Sequence, residues 1–169
     1  MRRILLLSDT HGYIDDRIVA YASDADEVWH AGDIGSFDVT DALEQTAPLR
    51  AVHGNIDDHR LRATFPETLY FLCEGIQVLM THIGQYPTRY SKQTKALIAA
   101  HPCNLFICGH SHLLKVARDA SLGHLHMNPG AAGVHGFHHL RTALRFTINA
   151  GNIEDLQVIE FGPRGRIHS

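Results

Sequence analysis

Cysteine is scarce in this chain: Cys73, Cys103 and Cys108 are the only three among 169 residues, with no C-x-x-C pair. That excludes a disulfide framework and a cysteine-rich zinc ribbon. The three thiols read as buried groups in a reducing cytoplasm. Long apolar runs are missing as well. None reaches the roughly 20 residues that a membrane-spanning helix needs. The run Ile4 to Leu7, after Arg2-Arg3, stops at Ser8-Asp9 and is too short for a signal peptide. Positive charge is also not in excess. A formal net charge of -3 speaks against a general nucleic-acid binder or a membrane-surface protein. A small phosphorylated substrate stays compatible, because bound metal ions add local positive charge that the count omits. Internal repeats, low-complexity segments and interdomain linkers are absent, so a single domain over 1–162 with a tail at 163–169 is expected.

What the chain has in excess is histidine, 14 residues. Clustered histidine points to metal more often than to any other role. The first part of the chain alternates between apolar runs and helical spacings. Ile4 to Leu7, Glu27 to Ala31 and Leu49 to His53 read as strands, with helices expected over Asp15 to Ala25 and Phe37 to Ala47. Such alternation indicates βαβ units and a parallel sheet. The pattern then changes. Thr68 to Cys73 and Ile76 to Thr81 flank Glu74-Gly75 as a hairpin. A helix follows over Tyr90 to Ala100, then a buried strand at Leu105 to Cys108. Short strands are expected at Lys115 to Arg118 and His124 to Met127. Asn128 to Gly133 reads as a turn-rich loop, followed by a terminal hairpin of Ala143 to Ile148 and Ile153 to Phe161. Two sheets packed face to face with helices outside account for this order.

Successive apolar runs end in one grammar: a hydrophobic strand, a small residue, then a side chain able to hold a metal. The strand ends yield Asp9 and His11, Asp33, Asn55, His82, and His110 with His112. Residues two apart on an extended segment project to the same side, so each pair can face one centre. The donors are oxygen and nitrogen without thiolate. That suits Mn²⁺ first, with Fe, Zn²⁺ and Ni²⁺ compatible. Seven ligands exceed one tetrahedral ion but suffice for two ions about 3.5–4 Å apart, an arrangement used for in-line attack on phosphorus by a metal-bridging hydroxide.

The ordered blocks Asp9-Thr10-His11, Gly32-Asp33, Gly54-Asn55-Ile56-Asp57, Thr81-His82 and Gly109-His110-Ser111-His112 resemble those of the calcineurin-like metallophosphoesterases. The short interval from Asn55 to His82, and Asn128-Pro129-Gly130 after the last block, resemble the small bacterial and archaeal phosphodiesterase branch. The resemblance spans residues 1 to 161. It implies an α/β (α+β) fold, a four-layer α-β-β-α sandwich of two packed mixed β-sheets flanked by helices. It also implies two divalent ions per chain. Asp9, His11 and His112 would hold the first, Asn55, His82 and His110 the second, and Asp33 would bridge them, with Asp9 leaning toward the bridge. Asn55 would also touch a phosphate oxygen.

One departure stands out. Many relatives carry a histidine after the motif asparagine, as general acid or phosphate holder, and this chain has Ile56 there. His59 and His138 are the candidate replacements as proton donors, and His138 and Arg141 the candidates for holding phosphate at the rim. The loss tilts the expectation toward diesters over monoesters. The alternatives are a phosphomonoesterase or nucleotide phosphatase on the same site, and a non-catalytic metal-binding interaction scaffold; a homo-oligomer stays open. Solvated loop positions are the preferred reading for His135 and His139, core or surface positions for His124 and His126, and packing for His30 and His53. Asp57 is expected to orient a ligand or a backbone turn, and Asp58 and His59 to cap a helix or face solvent.

Overall fold

The computed structural model describes residues 1–165. β1 (Arg2–Leu7), α1 (Asp16–Ser23), β2 (Glu27–His30), α2 (Phe37–Glu44) and β3 (Leu49–Ala51) form the alternating first part. α3 (His59–Thr64), β4 (Thr68–Cys73), β5 (Ile76–Thr81), α4 (Lys92–Ala100) and β6 (Leu105–Ile107) follow. β7 (Leu114–Arg118), β8 (Leu125–Pro129), β9 (Leu140–Asn149) and β10 (Asn152–Pro163) complete the chain.

The strands make two five-stranded sheets, ordered β10-β9-β1-β2-β3 and β4-β5-β6-β8-β7. Both are mixed. In the first, β1, β2 and β3 run parallel and the β9–β10 hairpin is added antiparallel. In the second, β5, β6 and β8 run parallel between antiparallel edges. Strand alternation assigns each side chain to a layer. Ile4 and Leu6 of β1 meet Val78, Met80, Ile107 and Met127 between the sheets, around the fully buried Trp29. Leu5 and Leu7 point the other way, onto Ile18, Ala22, Val39 and Leu43 of α1 and α2. Leu79 and Phe106 leave the second sheet on its far side to meet Ile98 of α4. The result is helix, sheet, sheet, helix, the layering expected above. β1 therefore carries a continuous apolar run because both its faces are buried. Truncating Leu6 to alanine would cost about 2–5 kcal/mol by cavity formation.

Local chemistry sets the helix starts. Asp15 caps α1 by accepting from Ile18 N, Asp58 caps α3 through Arg60 N and Leu61 N, and Ser91 caps α4 through Thr94 N. α4 thus begins two residues later than its spacing predicts, because Tyr90 turns inward. Beyond a cap expected at Asp58 or His59, α3 carries no expected range: six residues, four of them charged or histidine or threonine on the outside, bury only Leu61 and leave no periodicity to read. Asn128 and Pro129 belong to β8 rather than to a loop, since β7 pairs with them. β10 runs through Pro163, one residue beyond the expected domain end; the rest of the expected tail is described only to Gly165, and 166–169 lie outside the described residues. Cys73 and Cys108 are buried as expected, whereas Cys103 is partly exposed. Among the described residues, no helix is long and apolar enough to cross a membrane.

Candidate metal centre

Five parallel strands, β1, β2 and β3 of one sheet and β5 and β6 of the other, deliver their carboxyl ends to one edge of the sandwich. Open α/β sheets place ligands at this end. The loops after those strands are laced together by their backbones. Asp9 N donates to Gly32 O at 2.9 Å, His11 N to Asp33 O at 3.0 Å and Gly109 N to His82 O at 2.9 Å. Asp57, buried, accepts from Ile34 N, Gly35 N and Gly54 N, so one carboxylate ties the β3 loop to the β2 loop. That is the turn-orienting role expected of it. The glycines before the ligands allow this closeness. A Cβ at Gly54 would collide with Asp33 Oδ1, and one at Gly109 with Ser8 Oγ and Asp9 Oδ2.

The backbone is forced as well as crowded. Asp9, His11, Asp33, His110 and His112 all have φ between 46° and 71°. Left-handed backbone costs a non-glycine residue on the order of 1 kcal/mol. Such strain persists where surrounding structure over-determines it, typically at functional sites.

Two donor groups result, and each draws on both sheets. Asp9, His11 and His112 form one; Asp33, His82 and His110 form the other. His112 Nε2 lies 3.2 Å from Asp9 Oδ1, and His82 Nε2 lies 3.2 Å from Asp33 Oδ2. Asp33 Oδ2 is also 3.4 Å from His11 Nε2, so this single oxygen stands between the groups. Asp9 Oδ1 is 3.9 Å from both His11 Nε2 and His82 Nε2. Asn55 joins the second group, its Oδ1 3.0 Å from His110 Nδ1. Neighbouring ligands about 2.1 Å from a shared ion stand about 3.0 Å apart at a right angle and about 3.4 Å at a tetrahedral one. The close separations match those edges.

Three atoms test whether a metal fits. Asp9 Oδ1, His11 Nε2 and His82 Nε2 are buried without a hydrogen-bond partner. An unpartnered buried polar atom costs about 1–3 kcal/mol, and these three converge on the same space. The other side-chain polar atoms of Asp9 and His82 are spoken for, as is Oδ1 of Asp33. His82 Nδ1 donates to Ala31 O at 2.7 Å, which leaves the Nε2 lone pair free. Asp9 Oδ2 accepts from Ser8 Oγ at 2.6 Å and His110 N at 3.1 Å. Asp33 Oδ1 accepts from Ile56 N. The donor set fits divalent cations.

Charge follows from this packing. Burial works against ionising Asp9 and Asp33, but contact with His11 and His112, and with His11 and His82 respectively, overrides it and holds both carboxyls well below their usual range. Reciprocally, Asp33 and Asp9 push His11 up to about 9. Burial lowers His82, and contact with Asp33 more than reverses it. Without an ion, a proton on His11 offsets part of the carboxylate charge.

The residues expected around the ligands divide. His138 is buried behind His112, not at the rim. Its Nε2 donates to Gly133 O at 2.9 Å, so its Nδ1 accepts from His112 Nδ1 at 3.3 Å. Burial lowers the His138 pKa, consistent with a neutral ring. His138 therefore fixes the tautomer that turns His112 Nε2 toward Asp9; it is not placed as a proton donor or phosphate holder. Arg141 is buried too. Its Nε donates to Ala132 O and its Nη2 to Asp15 Oδ2, and its guanidinium lies 4.7 Å over the Tyr13 ring, which removes it from the rim. His59 is an exposed first-turn residue of α3, and the capping is done by Asp58. His30 is buried; its Nδ1 accepts from Gly32 N and its ring meets Thr10 Oγ1 at 3.0 Å, so it braces the loop backbones.

Of two further contributors, the sequence presents His135 as a solvated loop position and Asn128 without its role. His135 is exposed, yet its ring stacks on His11 with centroids 4.8 Å apart. Asn128 donates to Gly109 O and Ser111 Oγ and so holds the loop that carries His110 and His112. Asn128-Pro129-Gly130 was visible as a block, but nothing local told which loop it braces.

The model of the calcineurin-like phosphoesterase superfamily domain matches residues 1–151. A probable metallophosphoesterase of Mycoplasma pneumoniae is 31% identical over 163 residues, 92% of this chain and 96% of that protein. A probable metallophosphoesterase of Methanothermobacter thermautotrophicus is 30% identical over 136 residues, 76% of each chain. Among solved structures, Vps29 of Chaetomium thermophilum aligns with a TM-score of 0.76 at 12% identity, over 98% of this chain and 100% of that one. A predicted phosphoesterase of Streptococcus pneumoniae aligns with a TM-score of 0.70 at 20% identity, over 94% and 89%. These two likenesses concern the fold.

Proposed function

Since this chain belongs to the calcineurin-like phosphoesterase superfamily, we propose that it is a phosphodiesterase using two divalent ions, with Mn²⁺, Fe, Zn²⁺ and Ni²⁺ suited to the donors. Asp9, His11 and His112 would hold one ion and Asn55, His82 and His110 the other, with Asp33 standing between the two groups. The observation that carries this reading is the convergence of three unpartnered buried atoms, Asp9 Oδ1, His11 Nε2 and His82 Nε2. When bound, such ions supply the Lewis acidity that acidifies water and draws charge from phosphoryl oxygens.

The protein's own groups do the rest. The strained, laced loops hold the donors in place before any ligand arrives, so little reorganisation is needed at the moment of reaction. A diester is favoured over a monoester because the nearby guanidiniums are committed. Arg62 donates Nε to Asp57 O at 2.7 Å and Nη2 to Asn55 O at 2.9 Å, and Arg141 is tied to Asp15. A dianionic monoester would find Arg141 neutralised by Asp15 and Arg62 held to the backbone by its Nε and Nη2 donors, which leaves little cationic charge aimed at a second phosphate oxygen. Ile56 cannot pass a proton; in this reading His135, exposed and stacked on His11, delivers one to the leaving oxygen.

The test is metal analysis by mass spectrometry together with hydrolysis of bis- and mono-p-nitrophenyl phosphate. The expected result is two ions per chain, a faster diester than monoester reaction, and a loss of at least about a hundredfold in Asp33→Asn and His110→Ala. His135→Gln should slow an alkyl diester more than a nitrophenyl one, whose leaving group needs no proton. Diester cleavage that survives both metal removal and Asp33→Asn would sink the assignment.

A further inference from the structure

Next to the second donor group lies a cavity of about 480 Å³ that shares Asn55 and His82 with it. Pockets of about 300–1,000 Å³ are the size that holds small organic ligands. The side away from the donors is made by the loop after β5 and the first turns of α4, which contribute Gln85, Ser91, Gln93, Thr94 and Leu97.

The chemistry of this wall is neutral and hydrogen-bonding. Gln85 uses its Oε1 to accept from Thr94 Oγ1 at 2.8 Å and from Ser91 N at 3.4 Å, which anchors the side chain and leaves its Nε2 donors uncommitted. Gln85 also sits at φ 58°, a strained backbone for a glutamine. Gln93 is exposed, and its amide has no partner among the described residues. Ile83 and Leu97 add apolar surface. The two charged lining groups do not suit a second ion. Arg62 has its Nε and Nη2 turned to the carbonyls of Asp57 and Asn55, and its charge is matched in the lining by that of Glu67. Glu67 contributes a carboxylate that would repel another anion.

We propose that this cavity is the subsite for one ester group of the diester, and that it selects an uncharged, hydrogen-bonding group of nucleoside size. The proposal rests on the phosphodiesterase reading for what reaches the phosphorus, but the cavity's selectivity is measurable by itself. A phosphate lodged between the two donor groups would place one of its ester oxygens toward Asn55 and His82, and the group on that oxygen would enter the cavity. Amide donors and acceptors at Gln85 and Gln93 then meet polar edges, while Ile83 and Leu97 meet a flat face.

Three p-nitrophenyl diesters, of thymidine 5′-phosphate, of phosphocholine and of methyl phosphate, would be compared on the metal-reconstituted protein. Thymidine would also be titrated into isotopically labelled protein and followed by amide chemical shifts. The expected kcat/KM for the thymidine diester is at least tenfold above the other two, expressed mainly in KM. Thymidine alone should shift amides in 83–94. Gln93→Trp, which fills the cavity from an exposed helix position, should bring the preference within about twofold and abolish the shifts. Gln93→Ala should reduce both, with circular dichroism unchanged in each variant. Equal kcat/KM for the three diesters, or a preference untouched by Gln93→Trp, overturns the subsite while leaving the phosphodiesterase reading intact. Shifts without cleavage of any diester would overturn that reading and leave the subsite standing. Absence of both cleavage and shifts overturns both.

Discussion

Beside the cleft histidines stands a second group, His124 and His126, closed off beneath α4. The Tyr90 hydroxyl sits between them, 2.9 Å from His124 Nε2 and 2.8 Å from His126 Nδ1. His126 Nε2 lies 3.8 Å from Cys108 Sγ. Both groups are imidazoles on loops or strands of the same sandwich, yet the fold drives them in opposite directions. Carboxylates raise His11 to about 9; burial with no carboxylate in contact lowers His126 to about 4, and pushes the Cys108 thiol up to about 12. In the cleft, free nitrogens converge with carboxylate oxygens into two groups of three donors. Under α4 the one unpartnered ring nitrogen, His124 Nδ1, has no such company among the described residues. Histidine itself therefore does not mark a metal site. Neighbouring carboxylates aimed at an unpaired ring nitrogen do.

His138 offers the strongest way to break this contrast, because it lies outside both donor groups and acts on one of them through His112. His138→Ala removes the acceptor that keeps the proton on His112 Nδ1. Partners of this kind typically contribute 10–100-fold to metal affinity. The expected result is a 10–100-fold weaker metal Kd by calorimetry, with near-normal thermal stability of the metal-free protein. His138→Gln, whose amide oxygen can accept the same hydrogen bond, should recover part of the loss. Unchanged affinity in His138→Ala would mean that the ring merely fills space.

The mirror experiment is Tyr90→Phe. It strips a hydroxyl from two buried rings and should cost about 1–3 kcal/mol, or several degrees of Tm by differential scanning calorimetry for a domain of this size. Metal content and diester turnover should stay at wild-type values. A drop in metal content would show that the two histidine groups are not separate, and that β8 transmits the change through Asn128 to the loop of His110 and His112.

The parts of the site that could be read in the sequence are those written locally. The grammar of apolar strand, glycine and ligand is legible because each ligand follows a strand closely along the chain, although Gly54 and Gly109 make room for Asp33 and for Ser8 and Asp9, which other loops bring in. The Glu74-Gly75 turn was legible for the same reason: both residues adopt positive φ, β4 ends just before the turn and β5 begins just after it. Illegible were the contacts that only tertiary folding creates. His135 looks like any loop histidine until the chain returns it to His11, 124 positions away in sequence terms that no spacing rule connects. Arg141 looked free because its partner, Asp15, lies in the capping turn of α1. α3 escaped because one buried leucine makes no period.

The smallest expected effect is on pH, and it separates the two groups by sign. His11 has a folded pKa of about 9 against an ordinary 6.5, so its pairing with Asp33 and Asp9 stabilises the metal-free fold fully below pH 6.5 and is lost as pH rises through 9. His126, joined by His30, has a folded pKa of about 4. Their neutral, buried state is free of penalty above pH 6.5, and stability falls as pH drops from 6.5 through 4, because the unfolded chain takes up protons that the folded one refuses. Asp9 and Asp33 act only below that range. Metal-free protein should therefore melt highest near pH 6.5 and lose a few degrees toward both pH 5 and pH 9, as read by scanning fluorimetry in a chelator. Saturating divalent ion should remove the alkaline decline, because an ion in place of the His11 proton leaves nothing to titrate there, and its binding at pH 7 should release protons into the buffer. A metal-free Tm that climbs through pH 9 would break the carboxylate pairing assigned to His11. A flat profile between pH 6.5 and 5 would break the burial assigned to His126 and His30.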